Sequence, residues 1–134
     1  MLLDQLVAHQ AAGADLWVAL ADFEAMAARH FTQEKAHRIA YEQYVHNALA
    51  LGFDSARGQF YFQTRRTRVT SLAHRFAHHV NWTTMQALYG FGGETSMAHA
   101  MAPLVQAADI LHPQLDAAGP VSYTHLTLPT TERV

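Results

Sequence analysis

The sequence predicts an α/β fold in which a parallel sheet is flanked by helices. Two segments, residues 15–22 and 59–64, have the length and the apolar or aromatic composition of buried strands. Residues 32–51, which lie between them, have the periodicity of a helix. Strand, helix and strand in this order form a βαβ unit, whose crossover is expected to be right-handed.

The composition is that of one globular domain. Of the 134 residues, 50% are hydrophobic and 15% are charged, which excludes a disordered chain. There is no cysteine, which excludes a disulfide scaffold and thiolate chemistry. The net charge of −2 gives no overall attraction to nucleic acid, so any RNA contact has to be local. No apolar run reaches the length of a membrane span and the start of the chain lacks a basic signal region, so we expect a soluble, cytoplasmic protein.

The first predicted helix runs from Leu2 to a stop near Gly13, with leucines at helical spacing. The first predicted strand follows, with six apolar residues between Asp15 and Asp22, which is typical of a parallel strand buried on both faces. A buried helix is the alternative for this segment, because alanine is frequent in it.

Two acidic residues follow this strand. Ligands bind beyond the carboxyl ends of the strands in parallel α/β folds, which places Asp22 and Glu24 at the mouth of a candidate site. Asp22 could instead be the N-cap of a helix over residues 23–29. The sequence leaves both roles open.

The helix over residues 32–51 is predicted to begin after Thr32 and to end at Gly52. Three arginines follow the second strand. They could contact phosphate, but a solvated helix start is the alternative. These arginines are Arg65, Arg66 and Arg68.

Three further helices are predicted in the second half. The first has an apolar face from Val69 to Val80, the second covers residues 83–89, and the third covers residues 96–112. Pro103 could kink the third helix or begin a separate one.

The segment of residues 102–111 is apolar except for Gln106 and Asp109. On a helix the i, i+3 spacing puts these two side chains on one face. A buried carboxylate without a partner costs several kcal/mol or becomes protonated, so Asp109 has to find a donor, a water-lined surface or a ligand. We interpret both residues as facing a ligand. The alternative is that Asp109 is an acid on the helix surface.

The helix of residues 83–89 ends in the turn Tyr89-Gly90-Phe91 and is followed by Pro-x-x-Gln-Ala-Ala at residues 103–108. This arrangement resembles the catalytic domain of tryptophanyl-tRNA synthetases, chiefly the archaeal and eukaryotic type. The run Ala107-Ala108-Asp109-Ile110-Leu111 is also similar to Ala-Ala-Asp-Ile-Leu of the bacterial branch. The resemblance extends from about residue 2 to residue 120.

The resemblance implies a Rossmann-like sheet, of which this chain would hold two parallel strands. It implies an enzyme, usually a homodimer, that makes tryptophanyl-adenylate from tryptophan and ATP with Mg²⁺ and then esterifies tRNA. It also implies that Asp109 accepts the indole N–H, that Gln106 lies beside the substrate and that Glu24 lies near the amino acid. No catalytic residue is assigned, because this chemistry depends on positioning and charge stabilisation.

Two ATP-binding motifs of that family, His-x-Gly-His and Lys-Met-Ser-Lys-Ser, do not occur in the chain. Residues 1–120 are therefore expected to be an internal fragment of the catalytic domain that is inactive alone and poorly soluble. Residues 121–134 do not continue into the Gly-x-Asp-Gln motif of the family and are similar to translated sequencing adapters. We expect this tail to be an artefact, although a native tail could form a strand as far as Pro129.

Two other functions fit parts of the sequence. Tyrosyl-tRNA synthetases use the same aspartate position for the phenol of tyrosine, which makes them the nearest alternative. The ten histidines, with His74 and His78 one helical turn apart, suggest a non-catalytic helical module that binds a metal or a protein. His-Glu-x-x-His and cysteine are both absent, so we predict no metal site.

Overall fold

The computed structural model describes residues 2–116 and 122–126. The described part contains seven α-helices, three strands, one π-helical segment and one 3-10 turn. In chain order these are α1 (Leu2–Ala11), β1 (Leu16–Leu20), α2 (Asp22–Arg29), α3 (Gln33–Ile39), the π-helical segment (Ala40–Val45), α4 (His46–Ala50), β2 (Gly58–Phe62), the 3-10 turn (Gln63–Arg65), α5 (Thr67–Ala77), α6 (Trp82–Tyr89), α7 (Met97–Asp116) and β3 (Ser122–Leu126).

The three strands form a parallel sheet in the order β2-β1-β3. β1 pairs with β2 from Leu16 opposite Gly58 to Leu20 opposite Phe62, so the predicted α/β fold and its βαβ unit are confirmed. β3 pairs with the other edge of β1 and is a third strand beyond the two expected. It lies within the tail of residues 121–134, for which we expect a strand only if the tail is native. Residues 127–134 lie outside the described residues, and the artefact hypothesis stays a prediction.

Both faces of β1 are covered, as expected for a central parallel strand. Leu16, Val18 and Leu20 face a core that also includes residues of α1, α2, α3 and α4, while Ala19 faces a second core formed with α5 and α7. The alternation follows from the two-residue period of a strand. The buried-helix alternative for this segment is therefore wrong.

The crossover between β1 and β2 is helical from residue 33 to residue 50, as predicted. Thr32 caps it, because its hydroxyl accepts a hydrogen bond of 3.1 Å from the backbone N–H of Lys35. Gly52, with a φ of 103°, ends it in the left-handed region. The π-helical segment in its middle was not predicted, because the sequence pattern is that of a regular helix.

α7 is one helix that contains Pro103, so the alternative of two helices is wrong. Val105 and Ala108 are buried in the core that α7 shares with α5, and this packing offsets the hydrogen bond that Pro103 cannot donate. α5 ends at Ala77, so Val80 lies beyond it and is not part of its buried face. None of the described helices is long and apolar enough to cross a membrane.

Gly58 is the position of closest backbone approach at the start of β2. A Cβ atom there would lie 2.8 Å from Gln10 Nε2, 2.8 Å from Phe53 Cζ and 3.2 Å from the Leu16 carbonyl oxygen. Gln10 cannot easily move, because its amide donates to the Asp54 carbonyl at 2.9 Å and accepts from the Asp54 N–H at 2.7 Å.

Gly58→Ala should therefore lower the free energy of unfolding by about 1–3 kcal/mol, as overpacking does. The measurement is urea unfolding followed by circular dichroism. Gly92→Ala is the matched control, because no heavy atom lies within 4 Å of its added Cβ. Equal midpoints for the two variants would contradict the prediction.

Candidate functional site

Polar side chains converge at the carboxyl ends of β1 and β2. Asp22 lies two residues after the end of β1, Gln63 directly follows β2, and Asp109 of α7 lies against them from one side of the sheet. All three are buried, with exposed fractions of 0%, 1% and 0%. Burial of a polar group costs free energy unless the group is hydrogen-bonded, so the hydrogen-bond partners of these three side chains show how the site is built.

The carboxylate of Asp109 accepts two hydrogen bonds from the end of β2. The Tyr61 hydroxyl donates to Oδ1 at 3.0 Å, and Gln63 Nε2 donates to Oδ2 at 2.5 Å. Tyr61 faces α7 because it has the opposite parity to Phe60 and Phe62, which pack on the other side of the sheet. The alternative that Asp109 is an acid on the helix surface is therefore wrong.

Burial raises the pKa of Asp109 to about 7, against the opposing effect of the hydrogen bonds from Gln63 and Tyr61. The negative charges of Glu24 and Asp22 raise it further. Burial also raises the pKa of Glu24 above its usual value. The site therefore holds a carboxyl group whose protonation changes near neutral pH.

Gln63 joins three elements in this site. Its Oε1 accepts a hydrogen bond of 3.4 Å from the Glu24 N–H at the start of α2, while its Nε2 donates to Asp109 of α7. Sequence analysis missed both Gln63 and Tyr61. The rule that drew attention to Asp22, namely that ligands lie beyond the carboxyl ends of strands, would have found them if it had been applied to β2 as well.

Asp22 ties the ends of β1 and β2 to α3. Its Oδ1 accepts from the backbone N–H groups of Phe23 at 2.9 Å and Thr64 at 3.2 Å, and its Oδ2 lies 2.9 Å from His37 Nε2 and bonds the Thr64 hydroxyl. The N-cap position of α2 is Ala21, which has no side-chain cap. The proposed N-cap role of Asp22 is therefore wrong, and its carboxylate instead bonds the Phe23 N–H, Thr64 of the 3-10 turn after β2, and His37 of α3.

Gln106 and Asp109 share one face only in part. Asp109 is buried, whereas Gln106 is exposed on α7. Three residues turn a helix by about 300°, which leaves the two side chains about 60° apart. Gln106 therefore lies outside the buried network that surrounds Asp109.

α7 is held in place beside Asp109 by His112, which sequence analysis also missed. Its Nδ1 lies 3.0 Å from the Asp109 carbonyl oxygen, and its ring meets the rings of Trp17 and Tyr61 edge to face at 5.5 and 5.2 Å. Within the described ranges, no three His, Asp or Glu side chains are placed to hold a metal ion. His74 and His78 are therefore a pair without a third ligand among these residues.

Residues 1–127 match the family model described as tRNA synthetases class I (W and Y). Tryptophan–tRNA ligase of Methanopyrus kandleri is 47% identical over 116 residues, which cover 84% of this chain and 31% of that protein. Tryptophan–tRNA ligase of Aeropyrum pernix is 45% identical over 130 residues, which cover 96% of this chain and 34% of that protein. The chain thus spans about a third of the length of these curated relatives.

Solved structures show the same similarity. The crystal structure of tryptophanyl-tRNA synthetase from Aeropyrum pernix superposes with a TM-score of 0.80 at 43% identity, over 92% of this chain and 34% of that chain. A tryptophanyl-tRNA synthetase from Encephalitozoon cuniculi bound to tryptophan superposes with a TM-score of 0.72 at 14% identity, over 92% of this chain and 36% of that one. At that identity the second match shows a common fold.

Proposed function

Because this chain belongs to the class I family of tryptophanyl- and tyrosyl-tRNA synthetases, we propose that it serves as part of a tryptophan–tRNA ligase. The reaction is the ATP-dependent activation of tryptophan to its adenylate, followed by transfer to tRNA. The relatives named above are tryptophan–tRNA ligases, which does not favour the tyrosine alternative or the helical binding module.

The buried carboxyl group of Asp109 is the observation that carries the assignment of tryptophan. In this proposal the indole N–H donates to the Asp109 carboxylate, which accepts from the Tyr61 hydroxyl and from Gln63 Nε2 in the structure. A site built to accept a hydrogen bond rejects analogues that lack the donor, which is how tryptophan would be distinguished from phenylalanine.

The other site residues have supporting roles in this proposal. The partly buried Glu24 lies close enough for its charge to raise the pKa of Asp109, and it would face the amino group of the amino acid. Asp22 would hold the carboxyl ends of the strands at the mouth of the site. Gln106, which is exposed, would contact the substrate from the outer side of α7.

In this proposal the whole enzyme uses ATP and tRNA as substrates and Mg²⁺ as the accompanying ion. It is a cytoplasmic homodimer. The two ATP-binding motifs of the family do not occur in these 134 residues, so we expect the chain alone to bind tryptophan without activating it. Residues 1–120 are proposed to form the catalytic-domain part, with residues 121–134 apart from it.

Calorimetric titration of the chain with tryptophan at pH 8 tests the site. We expect tryptophan to bind at least about tenfold more tightly than its benzothiophene analogue, which has the same shape without the N–H. Asp109→Ala should weaken tryptophan binding by about 1.5–3 kcal/mol, which is about 10- to 100-fold, and should abolish the discrimination. Asp54→Ala, at an exposed turn, is the matched control. Equal binding of both ligands to the unaltered chain would rule out the proposed role of Asp109.

A further inference from the structure

A cavity lies at the carboxyl end of β2, the strand at one edge of the described sheet, and Tyr61 of the Asp109 network is among the residues that line it. Its volume is about 590 Å³, within the range of about 300–1,000 Å³ that is usual for small-molecule sites. The residues that line it include the apolar side chain of Phe62 and the cations Arg65, Arg66 and Arg68. No acidic side chain is among the described residues that line it.

The arginines are held in place by neighbouring rings. The Arg65 guanidinium lies 5.4 Å above the centre of the Phe62 ring, and its Nη2 is 3.4 Å from His37 Nδ1. The Arg66 guanidinium lies 4.6 Å from the centre of the Tyr61 ring and donates to Gln59 Oε1 at 2.6 Å. Planar guanidinium groups oriented in this way suit phosphate oxygens.

Arg68 adds a third cation at the start of α5. This helix begins at Thr67, which also lines the cavity, and the positive end of its dipole is directed to the same region. Three cations and a helix start therefore surround one apolar cavity, although the chain as a whole has a net charge of −2. The local charge favours an anion with an apolar or aromatic body.

Tyr41 adds an exposed aromatic ring to the lining of the cavity. Tyr41 belongs to the π-helical segment Ala40–Val45 and is 52% exposed, with its ring edge-on to Phe62 at 5.5 Å. π-helical segments inside α-helices are frequent at functional sites. A half-exposed tyrosine beside arginines is the combination on which nucleic-acid bases stack while phosphates pair with the cations.

We propose that this cavity binds one nucleotide unit, with its base on Tyr41 and its phosphate on Arg65 and Arg68. The unit is either a free mononucleotide or an unpaired nucleotide of an RNA strand, since both present a flat base and a phosphate. The RNA source rests on the proposed function, because a tRNA ligase has to hold an RNA. The cavity adjoins the proposed tryptophan site, because Tyr61 lines the cavity and its hydroxyl also donates to Asp109.

The test is calorimetric titration of the chain with adenosine 5′-monophosphate, ribose 5-phosphate, adenosine and a 5′-phosphorylated pentaadenylate RNA. We expect one molecule of the monophosphate to bind per chain, and the two half-ligands to bind more weakly. The double variant Arg65→Ala with Arg68→Ala should weaken binding of the monophosphate at least about tenfold. Tyr41→Leu should weaken binding of the monophosphate but not of ribose 5-phosphate. Arg38→Ala is the matched control, because this exposed arginine of α3 does not line the cavity.

The outcomes distinguish an RNA strand from a free nucleotide as the ligand, and the nucleotide cavity from the tryptophan site. Tighter binding of the pentaadenylate than of the monophosphate, with steep salt dependence, supports RNA, and equal binding supports a free nucleotide. Absence of binding by every phosphate-containing probe, or binding that neither variant weakens, overturns the proposal. Tryptophan titration of the same samples reports the tryptophan site independently, so either proposal can fail without the other.

Discussion

Asp109→Asn is expected to make the protein more stable than the unaltered chain at pH 8, by up to about 4 kcal/mol, and about equally stable near pH 4. The pKa of Asp109 is raised by burial to about 7 in the folded state, from an ordinary value of 3.8. Between these two values the folded state holds a proton that the unfolded state has released. The free energy of unfolding of the unaltered chain therefore falls as the pH rises through this window, and the loss persists above pH 7.

An amide at position 109 removes this dependence, because it cannot ionise and its oxygen can still accept one of the bonds from Tyr61 and Gln63. The measurement is urea unfolding at several pH values from 4 to 8. Asp54→Asn, the same amide substitution at an exposed turn, is the control for the loss of one carboxylate. A constant difference between Asp109→Asn and the unaltered chain at every pH would show that Asp109 does not titrate in this window.

This expected gain in stability has a functional meaning. A buried carboxyl group that destabilises the fold at neutral pH is the kind of feature that proteins retain at binding sites. Asp109→Asn should thus weaken tryptophan binding while it raises the free energy of unfolding at neutral pH. The same purified variant can be used for both measurements.

Asp22→Ala is expected to lower the free energy of unfolding by about 3–5 kcal/mol, because it leaves four partly buried donors without their buried acceptor. Those donors belong to three different elements. They are the Phe23 N–H, the Thr64 N–H, the Thr64 hydroxyl and His37 Nε2.

The measurement is the shift of the urea midpoint at constant slope. Asp54→Ala is again the matched control, because among the described residues its carboxylate accepts a local bond of 2.9 Å from the Ala56 N–H at an exposed turn. We expect that variant to lose less than about 1 kcal/mol. Similar midpoints for the two alanine variants would mean that Asp22 does not hold the strand ends together. Asp22→Asn should lie between them, since it keeps one acceptor oxygen.

Much of the fold could be predicted because its signals are local. A strand is recognised from the composition of a few neighbouring residues, and the helix after Thr32 from a cap and a repeat of three to four residues. The π-helical segment was missed, and the choice between one helix and two at Pro103 was left open, because tertiary packing decides the outcome at both places. The resemblance carried by the Tyr-Gly-Phe turn and by Gln106 to Leu111 led to the correct family.

The sequence located the candidate site at Asp109, since a lone acid in an apolar helix needs a partner, and at Asp22 and Glu24, since they follow a buried strand. Which partner Asp109 has depends on residues 46 and 48 positions away, Gln63 and Tyr61, whose side chains meet it only because α7 packs on that face of β2. Packing also leaves Gln106, one turn earlier in α7, exposed to solvent. It places the Asp22 carboxylate, after β1, within hydrogen-bond distance of the Thr64 N–H, after β2. Short-range periodicity and capping thus encode the elements and the family of this chain. The tertiary structure decides which partners its buried charged groups have. The free-energy cost of a charge depends on its burial, and burial exists only in the folded protein.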